Sequence, residues 1–431
     1  MLKPKYKFAI GFANSMFQSS GEVCGESNWT EAARKGSVPK ALLPISHWDN
    51  FEADLDLMQT TGVNSYRISM EWSHIEPIKN QYNTQVLDRY MALIDACLKR
   101  HITPMITLYH FNEPLWFTSL GSFEKEANIE HYISYCKHVF HLFSSKVSLW
   151  CTINEPAVQA FSGYLLGQFP PHKHDLKLTI IVLKHLMKAH VDVYQELKAL
   201  PHGDACMIGI VHNVLRFKSR HGDRLTSSFT DELTTITDDL VIDFFKTGRL
   251  DYKSSIWGLD VHYEDARASR SNDFFGLNFY ANPIIGFNLA NGFGATCYPG
   301  QEMGDMYLAI DPQGFSEAID EVNQLGLPIY ITETGIADQT DIKRQHFLTQ
   351  YCAVIHEKLA RGVDIRGCFF WVFRDNYEWN EGGPDSKTPR LFGFFKANNE
   401  PRESVGLLKE VINKFTQLTV ASNGLDIPVK R

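Results

Sequence analysis

The chain has 431 residues, of which 44% are hydrophobic, so it can build a sizeable core and is not a disordered protein. Its formal net charge is −8, which argues against a nucleic-acid partner. No window approaches the roughly 18 apolar residues of a membrane span, and no apolar stretch of signal-peptide length precedes Gly11. We therefore expect neither a membrane span nor a secretory signal.

The eight cysteines are scattered and form no Cys-X-X-Cys pair. Most lie in apolar surroundings, which predicts buried free thiols rather than disulfides or metal ligands. Free thiols fit a reducing compartment, so the predicted localisation is cytoplasmic.

Short apolar runs alternate with helical patterns along the whole chain. The runs are rich in Val, Ile, Phe and Tyr, mostly without strict alternation, which is typical of strands buried on both faces. The predicted strands are 8–13, 63–70, 103–110, 147–154, 207–214, 274–281, 328–335 and 365–373. The predicted helices are 51–61, 86–99, 127–143, 176–199, 238–247, 315–325, 342–361 and 403–415. Asp341 is the predicted N-cap of the seventh helix, and Gly362 its C-cap.

Eight strands, each followed by a helix, are the count of a (β/α)8 TIM barrel. No repeat and no Pro/Gly/Ser linker divides the chain. The predicted fold is therefore α/β, with residues 1–431 forming a single barrel domain. In such a barrel the active site lies at the C-terminal ends of the strands.

Polar or aromatic side chains stand late in, or just beyond, most of the predicted strands. They are Arg67, Glu71, His110, Asn154, Glu155, Asn213, Asn278, Tyr280, Glu333 and Trp371. Because the C-terminal strand ends form one rim, these residues should converge. Glu155 ends the fourth strand and Glu333 the seventh, so the two glutamates should face each other across the barrel mouth.

Two glutamates facing one pocket suit glycoside hydrolysis. A neutral carboxylic acid protonates the leaving oxygen, and an ionised carboxylate attacks or activates water. A single strand-end glutamate is more often a salt-bridge partner, but the second one favours catalysis. Around them, Asn154 can hold a sugar hydroxyl, and Arg67 and Tyr280 can keep Glu333 ionised. Flat apolar faces for a sugar are offered by Trp150, Trp371 and Trp379.

Three motifs resemble those of glycoside hydrolase family 1, the retaining β-glycosidases, and the resemblance covers nearly the whole chain. TINEP (152–156) resembles the acid/base motif, which implies that Glu155 is the general acid/base and that Asn154 binds the sugar 2-hydroxyl. YITETG (330–335) resembles the nucleophile motif, which implies that Glu333 is the nucleophile. FFWVFRDNYEWNEG (369–382) resembles the sugar-binding segment after the eighth strand. It implies a platform at Trp371 and contacts from Glu378 and Trp379 to the outer hydroxyls.

Weaker matches agree in order and spacing. Phe17-Gln18 resembles the N-terminal sugar-binding glutamine, and LYHFNEP (108–114) supplies His110 as a further sugar ligand. SYRISMEWSHIEP (65–77) and GLNFY (276–280) supply the supporting residues Arg67, Asn278 and Tyr280.

The sequence departs from the family pattern at three positions. Thr334 replaces an Asn, Phe111 replaces a Trp, and Ser20 replaces a Glu. None of these removes a catalytic group, so they bear on fine specificity and leave the preferred sugar open. The resemblance implies an O-glycosyl hydrolase of β-glucosidase type that removes terminal non-reducing β-linked sugars through a covalent glycosyl-enzyme intermediate. Its substrate would be a small-molecule β-glycoside or oligosaccharide, and no cofactor or metal is implied.

The sequence bears on three alternative functions. A 6-phospho-β-glycosidase would carry Ser in place of Glu378, although Lys387 and Arg390 provide positive charge nearby. A catalytically inactive sugar- or protein-binding relative would lack a glutamate, and both are present. A barrel isomerase or aldolase would need a Schiff-base lysine or a phosphate-binding glycine-rich loop late in the barrel, and neither is found. The His172-Lys173-His174 run is most simply a solvated loop.

Overall fold

Eight parallel strands close into a barrel in the computed structural model, which describes residues 7–254, 257–288, 292–306 and 308–421. The barrel strands are β1 (Ala9–Asn14), β2 (Ser65–Ser69), β3 (Thr103–Tyr109), β4 (Leu149–Asn154), β5 (Met207–Asn213), β6 (Phe274–Asn278), β7 (Ile329–Thr334) and β8 (Ile365–Phe370). Each pairs with its neighbours in chain order, and β8 closes onto β1. The eight predicted strands and the (β/α)8 fold are confirmed.

One main helix follows each barrel strand. These helices are α1 (His47–Thr60), α2 (Thr84–Lys99), α3 (Ile129–Phe143), α4 (Leu176–Lys198), α5 (Leu240–Thr247), α6 (Pro312–Asn323), α7 (Ile342–Ala360) and α8 (Ser404–Ala421). All eight helices were predicted, with bounds that differ by a few residues.

The predicted caps of α7 are only partly right. Asp341 occupies the N-cap position but has φ 66° and makes no side-chain capping bond. Its carboxylate instead accepts hydrogen bonds from Ser404 N and Ser404 Oγ, each at 2.7 Å, which ties α7 to the start of α8. Gly362 follows the C-cap residue Arg361 with φ 86°, a left-handed conformation that glycine adopts without steric cost.

The smaller elements in the loops were not predicted from the sequence. Strands Lys218–Ser219, Ile284–Asn288 and Gly292–Thr296 form one small sheet, and Arg249–Ser254 pairs with Leu259–Glu264. Short α-helices cover Met16–Ser20, Asn28–Arg34, Trp72–Ile75, Leu115–Leu120, Pro156–Ala160 and Arg224–Thr234, with π-helical turns at Phe161–Leu165 and Thr235–Asp239. The 3-10 turns are Gly21–Cys24, Ser122–Glu124, Glu126–Asn128, Gly203–Ala205, Ala268–Arg270 and Trp379–Glu381. Arg249–Ser254 alternates exposed and buried residues, so a search for continuous apolar runs passed over it.

Two apolar clusters fill the fold. One lies between the outer faces of the strands and the helices. The other fills the barrel interior and includes Met105, Cys151, Phe274, Tyr330 and Phe369. The barrel interior is packed below the strand ends. The polar side chains at those ends gather at the C-terminal rim, which is where the active-site pocket of this fold lies.

Trp150 belongs to the outer cluster, so the expectation that it offers a face to a sugar is wrong. It is fully buried, and its indole N–H donates to the Val147 carbonyl at 3.0 Å. Its ring packs 4.9 Å from Phe140 of α3. Successive strand side chains point to opposite faces, and Trp150 takes the helix-facing one.

All eight cysteines are free, and all but Cys297 are buried. Within the part of the chain that the structure describes, no helix combines the length and the apolar character needed to cross a membrane.

Candidate active site

Glu155 stands where β4 stops and the helix Pro156–Ala160 begins. Its backbone is left-handed, with φ 47° and ψ 64°, a conformation that costs a non-glycine residue about 1 kcal/mol or more. The Glu155 N–H donates to the Val211 carbonyl of β5 at 2.8 Å, and Pro156 needs no backbone acceptor. This strained turn leaves the Glu155 carboxyl only 6% exposed at the rim.

Asn278, at the end of β6, contacts the Glu155 carboxyl directly. Its Nδ2 donates to Glu155 Oε1 at 2.7 Å and lies 3.3 Å from Asn154 Oδ1. Its Oδ1 accepts from the Thr332 hydroxyl at 2.7 Å. Asn278 therefore joins β4 to β7 across the pocket floor.

Glu333 lies at the end of β7 and is 3% exposed. The pairing of β7 with β6 shifts register here, since Ile331 faces Leu277 and Glu333 faces Asn278. Such a bulge re-aims side chains at a strand end. Glu333 Oε1 pairs with Arg67 Nη1, and Glu333 Oε2 accepts from the Tyr280 hydroxyl at 2.8 Å.

Arg67 on β2 connects this strand to three others, β3, β4 and β7. From β2 its Nε donates to Thr107 Oγ1 of β3 at 2.9 Å, and its Nη2 donates to Asn154 Oδ1 of β4 at 2.8 Å. Its Nη1 pairs with Glu333 of β7. The guanidinium is 1% exposed, so its charge is poorly screened and acts strongly on the pocket.

Glu378 and Trp371 form the far end of the pocket. The Trp371 indole acts on the Glu378 carboxyl and lowers its pKa. Gln18 Nε2 lies 3.4 Å from Glu378 Oε2 and donates to the Tyr377 carbonyl at 2.9 Å. Gln18 Oε1 is buried without a partner among the described residues. A buried amide oxygen in this state is available to a hydroxyl donor.

His110 connects the two ends of the pocket. Its Nε2 lies 3.2 Å from Asn154 Nδ2, and its ring is 6.0 Å from that of Trp371 and 5.9 Å from that of Trp379. Burial and then the Arg67 charge lower the pKa of His110 well below its usual value, so the ring is neutral. Trp379 itself packs 4.5 Å from Trp29.

The pocket holds three buried carboxyl groups and one guanidinium. In the described part of the chain, Arg67 is ion-paired to Glu333, whereas Glu155 and Glu378 have no ion pair. Burial, followed by the negative charge of Glu333, raises the pKa of Glu155 to about 8, against the Asn278 hydrogen bond and the Arg67 charge. Burial also raises the pKa of Glu378 to about 8. At neutral pH Glu155 and Glu378 are mostly protonated, and Glu333 faces a cation.

Two other polar groups lie outside this pocket. Asp238, Asp239 and Glu321 bring three carboxylates together, but Arg216 Nη1 contacts all three at 2.6 to 3.0 Å and supplies the positive charge. In the loop 172–174, both histidine Nδ1 atoms contact backbone carbonyls and Lys173 pairs with Glu124.

The structure brings all eleven predicted site residues to the barrel rim. The sequence analysis missed Thr107 and Thr332, which hydrogen-bond Arg67 and Asn278 from inside the rim. Their one signal is a hydroxyl side chain within a strand whose residues are almost all buried. It also missed the aromatic cluster behind Trp379, where Trp29 and Phe169 come from different loops.

A (β/α)8 barrel with paired glutamates at the ends of β4 and β7 defines a glycoside hydrolase. The chain belongs to Glycosyl hydrolase family 1, whose sequence pattern matches residues 25–415. It is a retaining β-glycosidase that acts on O-glycosyl bonds, as the sequence analysis predicted.

Similar proteins span almost the entire chain. A beta-galactosidase from Pyrococcus woesei is 24% identical over 506 residues, covering 97% of this chain and 97% of that protein. The structure of a beta-glycosidase from Pyrococcus horikoshii has a TM-score of 0.81 at 29% identity and covers 99% of both chains. A beta-glucosidase from Thermotoga maritima in complex with glucoimidazole has a TM-score of 0.81 at 24% identity, covering 98% of this chain and 99% of its own, and shows the same fold.

Proposed function

We propose that Glu155 is the general acid/base and Glu333 the nucleophile of this β-glycosidase. The observation that carries the assignment is the different surroundings of the two carboxyls. Glu333 is paired with Arg67 and accepts from Tyr280, which suits an ionised attacking group. Glu155 has no cation partner among the described residues, and its raised pKa suits a proton donor.

In the first step, Glu155 gives its proton to the glycosidic oxygen while a Glu333 oxygen attacks the anomeric carbon. The bond to the leaving alcohol breaks, and a glycosyl ester forms on Glu333. The negative charge that raised the pKa of Glu155 is then lost, because Glu333 has become a neutral ester.

In the second step, the Glu155 carboxylate takes a proton from water, and the water oxygen attacks the anomeric carbon. The ester bond breaks and returns the electron pair to Glu333, whose charge Arg67 and Tyr280 again stabilise. Two inversions leave the β-configuration unchanged.

The substrate-binding part of the proposal places the sugar over Trp371. Asn154 and His110 would bind hydroxyls nearest the reacting carbon, and Gln18, Glu378 and Trp379 would bind the outer ones. The substrate proposed is a small β-glycoside or oligosaccharide whose terminal sugar is glucose or a close stereoisomer. The T. maritima beta-glucosidase bound to glucoimidazole and the P. woesei beta-galactosidase support this choice. A panel of p-nitrophenyl β-glucoside, galactoside, mannoside and fucoside tests it, and no release from any of them would favour an inactive binding protein.

An unphosphorylated sugar is expected to be the better substrate. The one guanidinium at the pocket is paired with Glu333, and Arg390 contacts Glu381 at 3.1 Å and the Asp305 carbonyl. Lys387 is exposed. Among the described residues, the buried part of the pocket therefore offers a phosphate dianion no unpaired cation, and uncompensated charge costs several kcal/mol at an effective dielectric of about 20. We expect kcat/KM for p-nitrophenyl β-glucoside to exceed that for its 6-phosphate by about tenfold or more. The opposite order would favour a 6-phospho-β-glycosidase.

The activity is expected to fall as the pH rises through about 8, because Glu155 must carry a proton in the free enzyme and its pKa lies there. A profile of kcat/KM from pH 5 to 10 measures this fall, which is the basic limb of the profile. The Glu378 carboxyl has a similar pKa, so Glu378→Gln is the control. The basic limb should persist in Glu378→Gln and disappear in Glu155→Gln, measured with p-nitrophenyl β-glucoside in all three proteins.

Two wider parts of the proposal concern the whole chain. The free thiols support a cytoplasmic location. The closed ring of strands from β1 to β8, covered by helices, supports one catalytic domain over residues 1–431.

A further inference from the structure

Thr332 immediately precedes Glu333 and is the residue left over in the β7–β6 pairing. Ile331 faces Leu277 and Glu333 faces Asn278, so Thr332 has no partner of its own on β6. Its side chain is fully buried, and its hydroxyl donates to Asn278 Oδ1 at 2.7 Å. A bulge therefore places this hydroxyl against the amide that contacts the general acid.

The Asn278 amide is held in one orientation by contacts on both of its ends. Arg67 Nη2 donates to Asn154 Oδ1 at 2.8 Å, which fixes this atom as the oxygen of the Asn154 amide. The Asn278 atom that lies 3.3 Å from it must therefore be the N–H donor. This donor, Asn278 Nδ2, also donates to Glu155 Oε1 at 2.7 Å. The remaining end, Oδ1, is buried and accepts the Thr332 hydroxyl.

We propose that Thr332 is a positioning residue for the general acid, acting through Asn278 to keep an N–H donor on the Glu155 carboxyl. This inference rests on the proposed role of Glu155. Without the hydroxyl, Asn278 Oδ1 is a buried acceptor with no donor, and rotation of the amide turns it toward Glu155. The oxygen would then accept from the neutral acid and favour the protonated form.

The effect on the acid has a definite sign. The Asn278 N–H bond lowers the pKa of Glu155, against the burial and the Glu333 charge that raise it. The other charged or titratable groups that act on Glu155 are Arg67 from β2 and Glu378 from the loop after β8, and Tyr280 stands beside Glu333. Losing the N–H bond moves the pKa of Glu155 further up, which makes it a weaker acid and leaves its carboxylate less stable as the base of the second step.

Thr332→Val removes the hydroxyl at nearly constant volume, and Thr334→Val is the matched control. Thr334 is also fully buried on β7 and flanks Glu333 on the other side, but its hydroxyl donates to the backbone carbonyl of Phe279 at 2.8 Å. Each valine removes one buried hydrogen bond next to the nucleophile. Only Thr332→Val removes a bond to Asn278, the residue that contacts the Glu155 carboxyl.

The measurement is kcat/KM against pH for a methyl β-glycoside and a dinitrophenyl β-glycoside. In Thr332→Val the basic limb should move up by about half to one pH unit, and kcat/KM for the methyl glycoside should fall about three- to tenfold more than for the dinitrophenyl glycoside. Thr332→Ser should restore both, and Thr334→Val should leave the limb in place although it unfolds at a lower temperature. If the Thr332→Val protein does not fold, Thr332→Ala removes the same hydroxyl and is measured in the same way.

A limb in Thr332→Val that coincides with the wild-type limb, or an equal shift in Thr334→Val, would overturn the inference. Glu155→Gln, profiled beside the wild type with p-nitrophenyl β-glucoside, separates this failure from a failure of the proposed function. If the limb persists in Glu155→Gln, then Glu155 is not the acid. If the limb disappears there but is unmoved in Thr332→Val, only the role of Thr332 is wrong.

Discussion

Glu333→Ala is expected to lower kcat by about 10⁴-fold or more on every β-glycoside, including those with activated leaving groups. In the proposed mechanism the Glu333 carboxylate forms the covalent bond to the sugar, and a better leaving group cannot replace it. Added azide should attack the substrate directly and give the α-glycosyl azide, since a single displacement inverts the configuration. Initial rates with p-nitrophenyl and dinitrophenyl glycosides, and proton NMR of the azide product, measure these outcomes.

Glu113→Gln is the matched control for loss of a buried glutamate. Glu113 is 5% exposed, hydrogen-bonds Ser122 and Thr118, and burial raises its pKa to about 7. Its contacts lie outside the pocket, so kcat should stay within about twofold of the wild type. Glu333→Ala also leaves the buried Arg67 guanidinium unpaired, which is destabilising, so thermal unfolding should be followed for both variants. A folded Glu333→Ala enzyme that retains substantial turnover would contradict the assignment of Glu333.

The barrel could be predicted because its strands are buried on both faces and its helices are amphipathic. Both patterns can be read from a short stretch of sequence, and each of the eight barrel strands shows the apolar one. The paired strands Arg249–Ser254 and Leu259–Glu264 carry a different pattern, in which exposed polar residues alternate with buried or half-buried ones, and were missed. Residue type alone could not place Trp150, because successive side chains of a barrel strand point alternately to the helices and to the barrel interior.

The residues of the candidate site could be predicted from the sequence, but the hydrogen bonds and ion pairs that join them could not. Motif positions located Glu155, Glu333 and Arg67, but the guanidinium that bridges four strands depends on the closed barrel. The same holds for Asp341, whose sequence position indicates a cap while its carboxylate binds Ser404. The relay from Thr332 through Asn278 depends on a bulge, which no local pattern in YITETG indicates.

The number of charged groups in the pocket links the protonation of Glu155 to the charge on Glu333. Glu155 and Glu378 have no ion pair among the described residues, and Glu333 is held by Arg67. Deprotonation of Glu155 in the free enzyme would place two anions around one cation, which is the physical reason that Glu333 raises the pKa of Glu155. Formation of the glycosyl ester removes one anion, so the same residue can then act as a base. The two roles proposed for Glu155 follow from one change of charge on Glu333.

Glu155→Ala is therefore expected to discriminate between leaving groups. Dinitrophenolate leaves without a proton, so kcat/KM for a dinitrophenyl β-glycoside should stay within about tenfold of the wild type, whereas a methyl or other alkyl β-glycoside should lose about 10³-fold. The second step also slows, because no base activates water, and the glycosyl ester on Glu333 should accumulate and give a burst of dinitrophenolate.

Azide should rescue Glu155→Ala, and the configuration of the product identifies the mechanism. Azide needs no base and fits the space left by the carboxyl, so it should attack the glycosyl ester and raise the turnover of the dinitrophenyl glycoside. A second inversion gives the β-glycosyl azide, opposite to the product expected from Glu333→Ala. Wild-type enzyme in the same azide concentrations controls for a general anion effect. Equal losses on alkyl and dinitrophenyl glycosides, with no azide product, would show that Glu155 is not the proton donor.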